Sequence, residues 1–413
     1  MTQTNVKLKR IADAVELEVP DRVPIFLQPN YLPAKIAGLT YRDLYYNQDE
    51  YLDALRRLLI DLDPDLFLPG DTPVVAPGPI NDLWGTVQIK WPGHGIGVNV
   101  SHQFVEGEYM KQEEYDHFLD DPTDFLIRVY TPRIFKKMAG LSMLPPLINL
   151  SLGCYFGAAM ANFFSTPPIA AALEAMQASA KTGAEWTMKF SRFHQEMAEL
   201  GIYASHAATA MVPFDIISDM LRGMKGSMMD MFQVPEKLLA AQEKLYPSVL
   251  EGAVQVAKVT GNPRVFIPLH RGADGFMSPK QFELFYWPML KKLILDLIDE
   301  ELTPLPFFEG VYEQRLQYLA ELPKGKVIGW FDRSDLSQVK AALKDTMCIA
   351  AGMPVSLLQT GTPETVKEYT RKIIDTAGGD GGLIMATNTV LDEANPELIK
   401  VWVDYTKEYG RYV

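Results

Sequence analysis

Cysteine is nearly absent from this 413-residue chain, with only Cys154 and Cys348 present. Two thiols cannot build a disulfide framework or a thiolate-rich metal cage, and their scarcity suits a reducing compartment. No basic block offsets the surplus of acid. Lys and Arg number 39 against 52 Asp and Glu, a formal charge of −13, so nucleic acid is not an expected partner. No apolar run reaches the ~18 residues that would span a bilayer, so no membrane partner is expected. Lys7, Lys9 and Arg10 are not followed by the apolar stretch of a secretory signal. A soluble, cytoplasmic protein is the expectation. A Gly-x-Gly-x-x-Gly turn after the first strand and a Gly-Lys-Ser/Thr phosphate loop are also missing, which removes the usual reasons for an open doubly wound sheet. Without a Gly-x-Ser-x-Gly elbow or a His-Glu-x-x-His helix, hydrolase and zinc-protease readings have no local support.

What is present is enough apolar material for a large core: 47% of residues are hydrophobic and 22% charged, which excludes a disordered chain. Short apolar runs closed by a polar residue or glycine recur at 23–28, 65–70, 147–153, 265–270, 305–309, 327–332, 348–354 and 383–388. Helical periodicity lies between them, as at 50–61, 235–259, 279–300, 336–343 and 364–376. Alternation of this kind implies a parallel sheet with helical crossovers, and eight strands closing on themselves make an α/β (β/α)8 TIM barrel. Two segments exceed a minimal barrel. Residues 72–146, with a hairpin pattern around 84–105, read as an insertion after strand two, and residues 154–260 read as a helical extension or cap after strand three.

In such a barrel, chemistry sits at the C-terminal strand ends. The shortlist there is Gln28, Asp71, Cys154, His270, Glu309, Asp332 and Asn388. Asp71, in Gly-Asp-Thr-Pro, serves equally as a functional carboxylate or a cap. His270 and Glu309 abruptly close apolar strands. If they converge, an imidazole and a carboxylate can hold a divalent metal or share a proton with a substrate heteroatom, the alternative being a structural His–Glu hydrogen bond. Asp332 fits either as a third oxygen ligand or as an acceptor for Arg271 or Arg333. Tyr155, Phe308 and Trp330 supply aromatic surface near strand ends, and with Gln28 and Asn388 they are the candidate substrate contacts. His94, His102, His117, His194 and His206 are assigned to surface or packing roles.

Several motifs resemble those of the uroporphyrinogen decarboxylase superfamily. They are Ser278-Pro279 with Phe282, Phe285, Tyr286 and Trp287, Phe307-Phe308-Glu309-Gly310, the run from Leu357 to Glu364, Gly381-Gly382-Leu383-Ile384-Met385, Ala394-Asn395-Pro396-Glu397, and the N-terminal Pro20-Asp21-Arg22-Val23-Pro24. The resemblance implies a single (β/α)8 domain over 1–413, and within it a choice of chemistry. The arginine-rich loop that binds porphyrinogen carboxylates is replaced here by Gln28-Pro29-Asn30-Tyr31-Leu32-Pro33, although Asp71 resembles the family's central aspartate. The other branch comprises corrinoid-dependent methyltransferases. Its thiol-activating members hold zinc through a His-x-Cys-Gly strand end, which this chain lacks; members acting on methoxylated compounds use oxygen and imidazole ligands.

The resemblance therefore implies a methyltransferase carrying a methyl group from a small O-methyl substrate to the cobalt of a corrinoid on a separate partner protein. His270, Glu309 and Asp71 are its catalytic candidates, and His270, Glu309 and Asp332 the ligands of a divalent metal, zinc by preference. A homodimer is compatible with it. The alternatives are a decarboxylase of a small carboxylic acid and a non-catalytic binding subunit.

Overall fold

The computed structural model describes residues 3–412 except 72, 73 and 75; the side chains at 3–5, 147, 150, 152–154, 156 and 160 fall outside that description. The barrel strands are β1 (Phe26–Leu27), β2 (Leu66–Phe67), β3 in two pieces (Tyr203–Ala204 and Ala208–Thr209), β4 (Arg264–Leu269), β5 (Thr303–Phe308), β6 (Ile328–Phe331), β7 (Cys348–Met353) and β8 (Leu383–Thr387). Every neighbouring pair is parallel. The ring closes at two seams. At one, the first piece of β3 pairs with β2 and the second with β4; at the other, a bridge joins Ile25 to Met385.

Seven of the expected apolar runs hold strands. The run at 147–153 does not: Leu147–Leu152 is a 3-10 helix leading into the helix Gly153–Phe164. A short apolar stretch reads alike as strand or helix, and Pro145-Pro146 just before it suits a helix start. The third strand lies instead in Tyr-Ala-Ser-His-Ala-Ala-Thr (203–209), whose small residues give little β signal. The layout at 72–146 and 154–260 changes accordingly. All of 68–202, including the helix Pro167–Glu199, is one excursion between β2 and β3, and only the helices from Pro213–Ile216 to Pro235–Thr260 form the β3–β4 crossover. The hairpin pattern is met by antiparallel pairing of Ile89–Pro92 with Gln103–Phe104.

Side chains alternate between two cores, as a strand period of two requires. Phe26, Leu66, Leu305, Ile328, Trp330, Cys348, Ala350, Ile384 and Ala386 fill the barrel, and Ile11 and Ala14 of the helix Gln3–Val15 join them. Leu27, Phe67, Val265, Ile267, Phe308, Phe331, Ile349 and Met385 face the helices. Full burial of each valine, leucine, isoleucine, phenylalanine or methionine among them is worth ~1.5–3 kcal/mol. The family-like motifs at helix starts have a local physical meaning: Ser278, Thr362 and Asn395 accept from backbone N–H groups at 3.3, 3.3 and 2.9 Å, each just before a proline that opens a helix.

At the N-terminal end, Asp65 is wholly buried and accepts from Arg10 Nη1 (2.5 Å), Arg22 Nη1 (2.9 Å) and Ile25 N (2.8 Å). Replacing it leaves Arg22 without a carboxylate and Arg10 with Asp21 alone. Asp65→Ala is expected to cost ~3–5 kcal/mol, read as a lower urea midpoint; a shift equivalent to less than ~1 kcal/mol would contradict this assignment.

Candidate functional site

The residues two positions beyond the inward-facing Phe26, Phe307, Trp330 and Ala386 are Gln28, Glu309, Asp332 and Asn388; His270 follows the same alternation four beyond Phe266. This parity carries their side chains to the C-terminal mouth.

His270 is fixed from behind by the segment after β3. Asp215 in the helix Pro213–Ile216 and Ser218 and Asp219 in the following π-turn Ile217–Leu221 are spaced to share one helical face. Asp215, wholly buried, accepts from the backbone N–H of His270 and of Arg271, both at 3.1 Å, and from Tyr286 Oη at 2.6 Å. Ser218 Oγ and Asp219 Oδ1 accept from Arg271 Nε and Nη2, both at 2.8 Å. Asp219 Oδ2 lies 2.5 Å from His270 Nδ1, leaving Nε2 toward Glu309 Oε2 at 3.9 Å. A carboxylate on Nδ1 fixes the proton there and sets the ring's orientation.

Electrostatics follow from these contacts. Burial pulls the His270 pKa down, but the Asp219 hydrogen bond and the charges of Asp215, Asp219 and Glu309 outweigh it, so the net shift is upward. Burial pushes the Asp215 carboxyl up to about 6, against the opposing charge of His270. The site therefore favours the charged form of the ring, with its Nε2 turned to the mouth.

Two glycines are required by geometry. Gly310 has φ +96°, and its N–H donates to Asp332 Oδ2 at 3.2 Å directly after Glu309. A Cβ on Gly352 would lie 2.6 Å from the Asn388 Cα. That close approach seats Asn388, whose Nδ2 donates to Asp332 Oδ1 (3.2 Å) and whose Oδ1 accepts from Val355 N (3.0 Å).

The structure thus brings His270 and Glu309 together, and separately joins Asp332 to Asn388. The expected metal set is not assembled. Asp332 spends its oxygens on Asn388 and Gly310 and has Arg333 Nε at 3.4 Å, and among the described residues no three His, Cys, Asp or Glu side chains are placed to hold a metal ion. His270 and Glu309 are two donors where a zinc site takes three or four. Cys348 adds none, being sealed inside the barrel with its thiol pKa raised by burial. The Cys154 side chain lies outside the described residues.

Asp71, half-buried after β2, acts on His194 and Tyr51 through its charge. Gln28 is buried; its Oε1 accepts from Thr387 N (3.1 Å) and Oγ1 (2.5 Å), while Nε2 has no partner. Trp330 stacks on Phe307 at 4.0 Å and donates to Thr387 O at 2.8 Å, making it barrel core. Phe308 has the opposite parity and stacks on Phe331 in the helix layer, so it is no substrate contact. Tyr155 is 82% exposed on the helix Gly153–Phe164; its expected place at a strand end goes with the strand that is not there. Beside the mouth, a cavity of about 340 Å³ is lined by Asp332, Arg333, Asn388, Tyr369 and Lys372 among others. Sequence reasoning read Tyr286 only as part of a family motif and missed Asp215 and Asp219 altogether. Their only signal is an Asp-x-x-x-Asp spacing just after a strand with no strand-like composition.

Such a molecule is a closed α/β barrel with an oriented imidazole–carboxylate pair at its C-terminal mouth. The chain belongs to the uroporphyrinogen decarboxylase (URO-D) family, whose model matches residues 157–409. Among solved structures, a methyltransferase from Methanosarcina mazei matches with a TM-score of 0.61 at 14% identity, covering 97% of this chain and 98% of that one. A B12-independent methionine synthase from Shewanella sp. W3-18-1 matches at a TM-score of 0.36 and 12% identity over 53% of this chain and 64% of that one. No curated protein matches.

If Asp219 sets the His270 proton, Asp219→Asn lowers the pH at which the His270 ring titrates by NMR. An unchanged titration would remove Asp219 from this role.

Proposed function

We propose that the protein transfers a methyl group from a small O-methyl compound, such as a methoxyaromatic, to the cobalt of a corrinoid carried by a partner protein. The observation that carries the reading is His270, with Asp219 behind Nδ1 and Nε2 facing Glu309 at 3.9 Å. The full-length likeness to a protein described as a methyltransferase supports it. Reduced cobalt supplies the nucleophile; this chain supplies access to it, and His270 and Glu309 are partly exposed at the mouth.

An alkoxide or phenolate is a poor leaving group, so the departing oxygen needs a proton. Protonated His270 donates it from Nε2 while Asp219 retains the Nδ1 proton and stabilises the ring's charge. Glu309 keeps the imidazole charged in the resting site and orders the substrate oxygen beside it. Gln28 Nε2, buried and unpartnered, is available to a substrate acceptor, and Trp330 and Phe307 form the apolar floor. The site residues present do not form a zinc cage, so no step passes through a metal.

The test is anaerobic incubation with cob(I)alamin and a panel of methoxyaromatics, following methylation of the cobalt by absorbance. The wild type is expected to turn over and His270→Gln to lose ~10²–10⁴-fold in kcat, the range of general acid catalysis. Because the protonated ring acts, kcat falls as pH rises through the raised His270 pKa, and Asp219→Asn moves that fall to lower pH. Carbon dioxide released from a small carboxylic acid, with no methyl transfer, would replace this reading with decarboxylation.

A further inference from the structure

No charged residue or histidine occurs between Lys137 and Glu174, in a chain that is 22% charged. Its two ends pack inward at Met138, Leu141, Leu144, Ile169 and Ala172, but its middle does not. Met143, Ile148, Tyr155, Phe163, Phe164 and Leu173 are all exposed, Ile148 to 76% and Tyr155 to 82%. On the helix Gly153–Phe164 every described side chain is exposed, so it lacks the buried stripe by which a surface helix is normally held. At ~150–250 Å² per aromatic side chain, the three exposed rings alone present on the order of 300 Å². The aliphatic residues and methionines bring the patch toward the ~800 Å² per partner of a standard interface.

Charge selects the occupant. Helices that lie in a lipid interface carry Lys or Arg on a polar face, and anionic headgroups repel a chain of −13; this helix has no basic residue. A partner of opposite charge would be met by charged residues, which this surface lacks. A second copy meets acid with acid over most of its surface, but neutral with neutral here. Gly157 and Ala161, four apart and both exposed, would let two such helices approach closely, and a Cβ built at Gly157 meets nothing within 4 Å.

We infer that the helix Gly153–Phe164 is the contact surface between two copies of this chain, packed helix on helix about a two-fold axis. The contact is isologous, so each copy offers the same face. This conclusion is independent of the reaction at the barrel mouth.

Sedimentation equilibrium of the full chain tests it. The wild type is expected to be dimeric. Gly157→Glu and Gly157→Arg, at an open position that spares the fold, are each expected to raise the dimer dissociation constant at least about a hundredfold by setting like charges face to face. An equimolar mixture of the two variants is expected to dimerise again. A monomeric wild type, a dimer indifferent to either substitution, or a mixture that stays monomeric would overturn the assignment. So would a monomeric wild type that floats with vesicles of phosphatidylcholine and phosphatidylglycerol, which would give the surface to lipid.

Discussion

The mouth of the barrel depends on one buried carboxylate. Asp215 takes the first two backbone N–H groups beyond β4 on its two oxygens and a tyrosine hydroxyl on one of them. A buried carboxyl without such donors is costly, so the end of β4 and the crossover helix hold each other in place. Asp219, one turn on, then decides which way the imidazole points. The β5 side is tied to the same frame. Arg315, wholly buried, donates to Gly272 O at 3.3 Å and Met277 O at 2.5 Å and lies over the Phe282 ring, while Tyr312 Oη donates to Leu269 O at 3.2 Å. The separation of His270 from Glu309 is therefore set by two loops locked together, with little left to side-chain choice.

The same economy explains the broken third strand. Between its two pieces the ladder is interrupted, and carbonyls there need donors. Arg264 supplies them, with Nε to Ser205 O at 2.8 Å and Nη2 to Ala204 O at 3.0 Å, and Asn262 Nδ2 adds a bond to Ala204 O at 3.0 Å. Burial pushes the Arg264 pKa down to about 10, so the group remains charged and bridges the gap at any physiological pH. His206, in the bend, stacks on Phe266, and its pKa is pushed down to about 3, mainly by burial. It is a neutral packing group, the role its sequence context suggested.

What was legible in the sequence follows from what each residue does alone. Strands β4 to β8 announce themselves as apolar runs closed by a polar residue, because both faces of each are buried and the closing residue is where burial stops. The His270–Glu309 meeting was legible for the same reason: both end strands that are neighbours in order and share inward parity. The third strand was not. Its residues are small and its two short pieces are held by an arginine sixty positions on, a dependence no local window contains. Asp215 and Asp219 were hidden behind that error, since a carboxylate pair means nothing until the strand before it is placed. Phe308 and Tyr155 failed differently. Phe308 sits beside Glu309 in sequence but faces the other way, and Tyr155 was tied to a strand that is helix.

The charge of the mouth bears on what can enter it. Arg271 is committed to Asp219, whereas Arg333, 75% exposed, makes one 3.4 Å contact with Asp332 and lines the neighbouring cavity with Lys372. Around His270 itself the charges are acidic, with Asp215, Asp219 and Glu309 all acting on the ring. Two like charges 4 Å apart at an effective dielectric near 20 repel by roughly 4 kcal/mol, and a ligand bearing several carboxylates would meet that repulsion more than once. A small neutral ligand meets none of it. Its uncharged body suits the aromatic floor below, and its one polar atom can accept the proton that Asp219 and Glu309 together keep on His270. Family membership alone leaves the reaction open; the acidic surroundings of His270 are what support the proposal of an uncharged ligand at that ring.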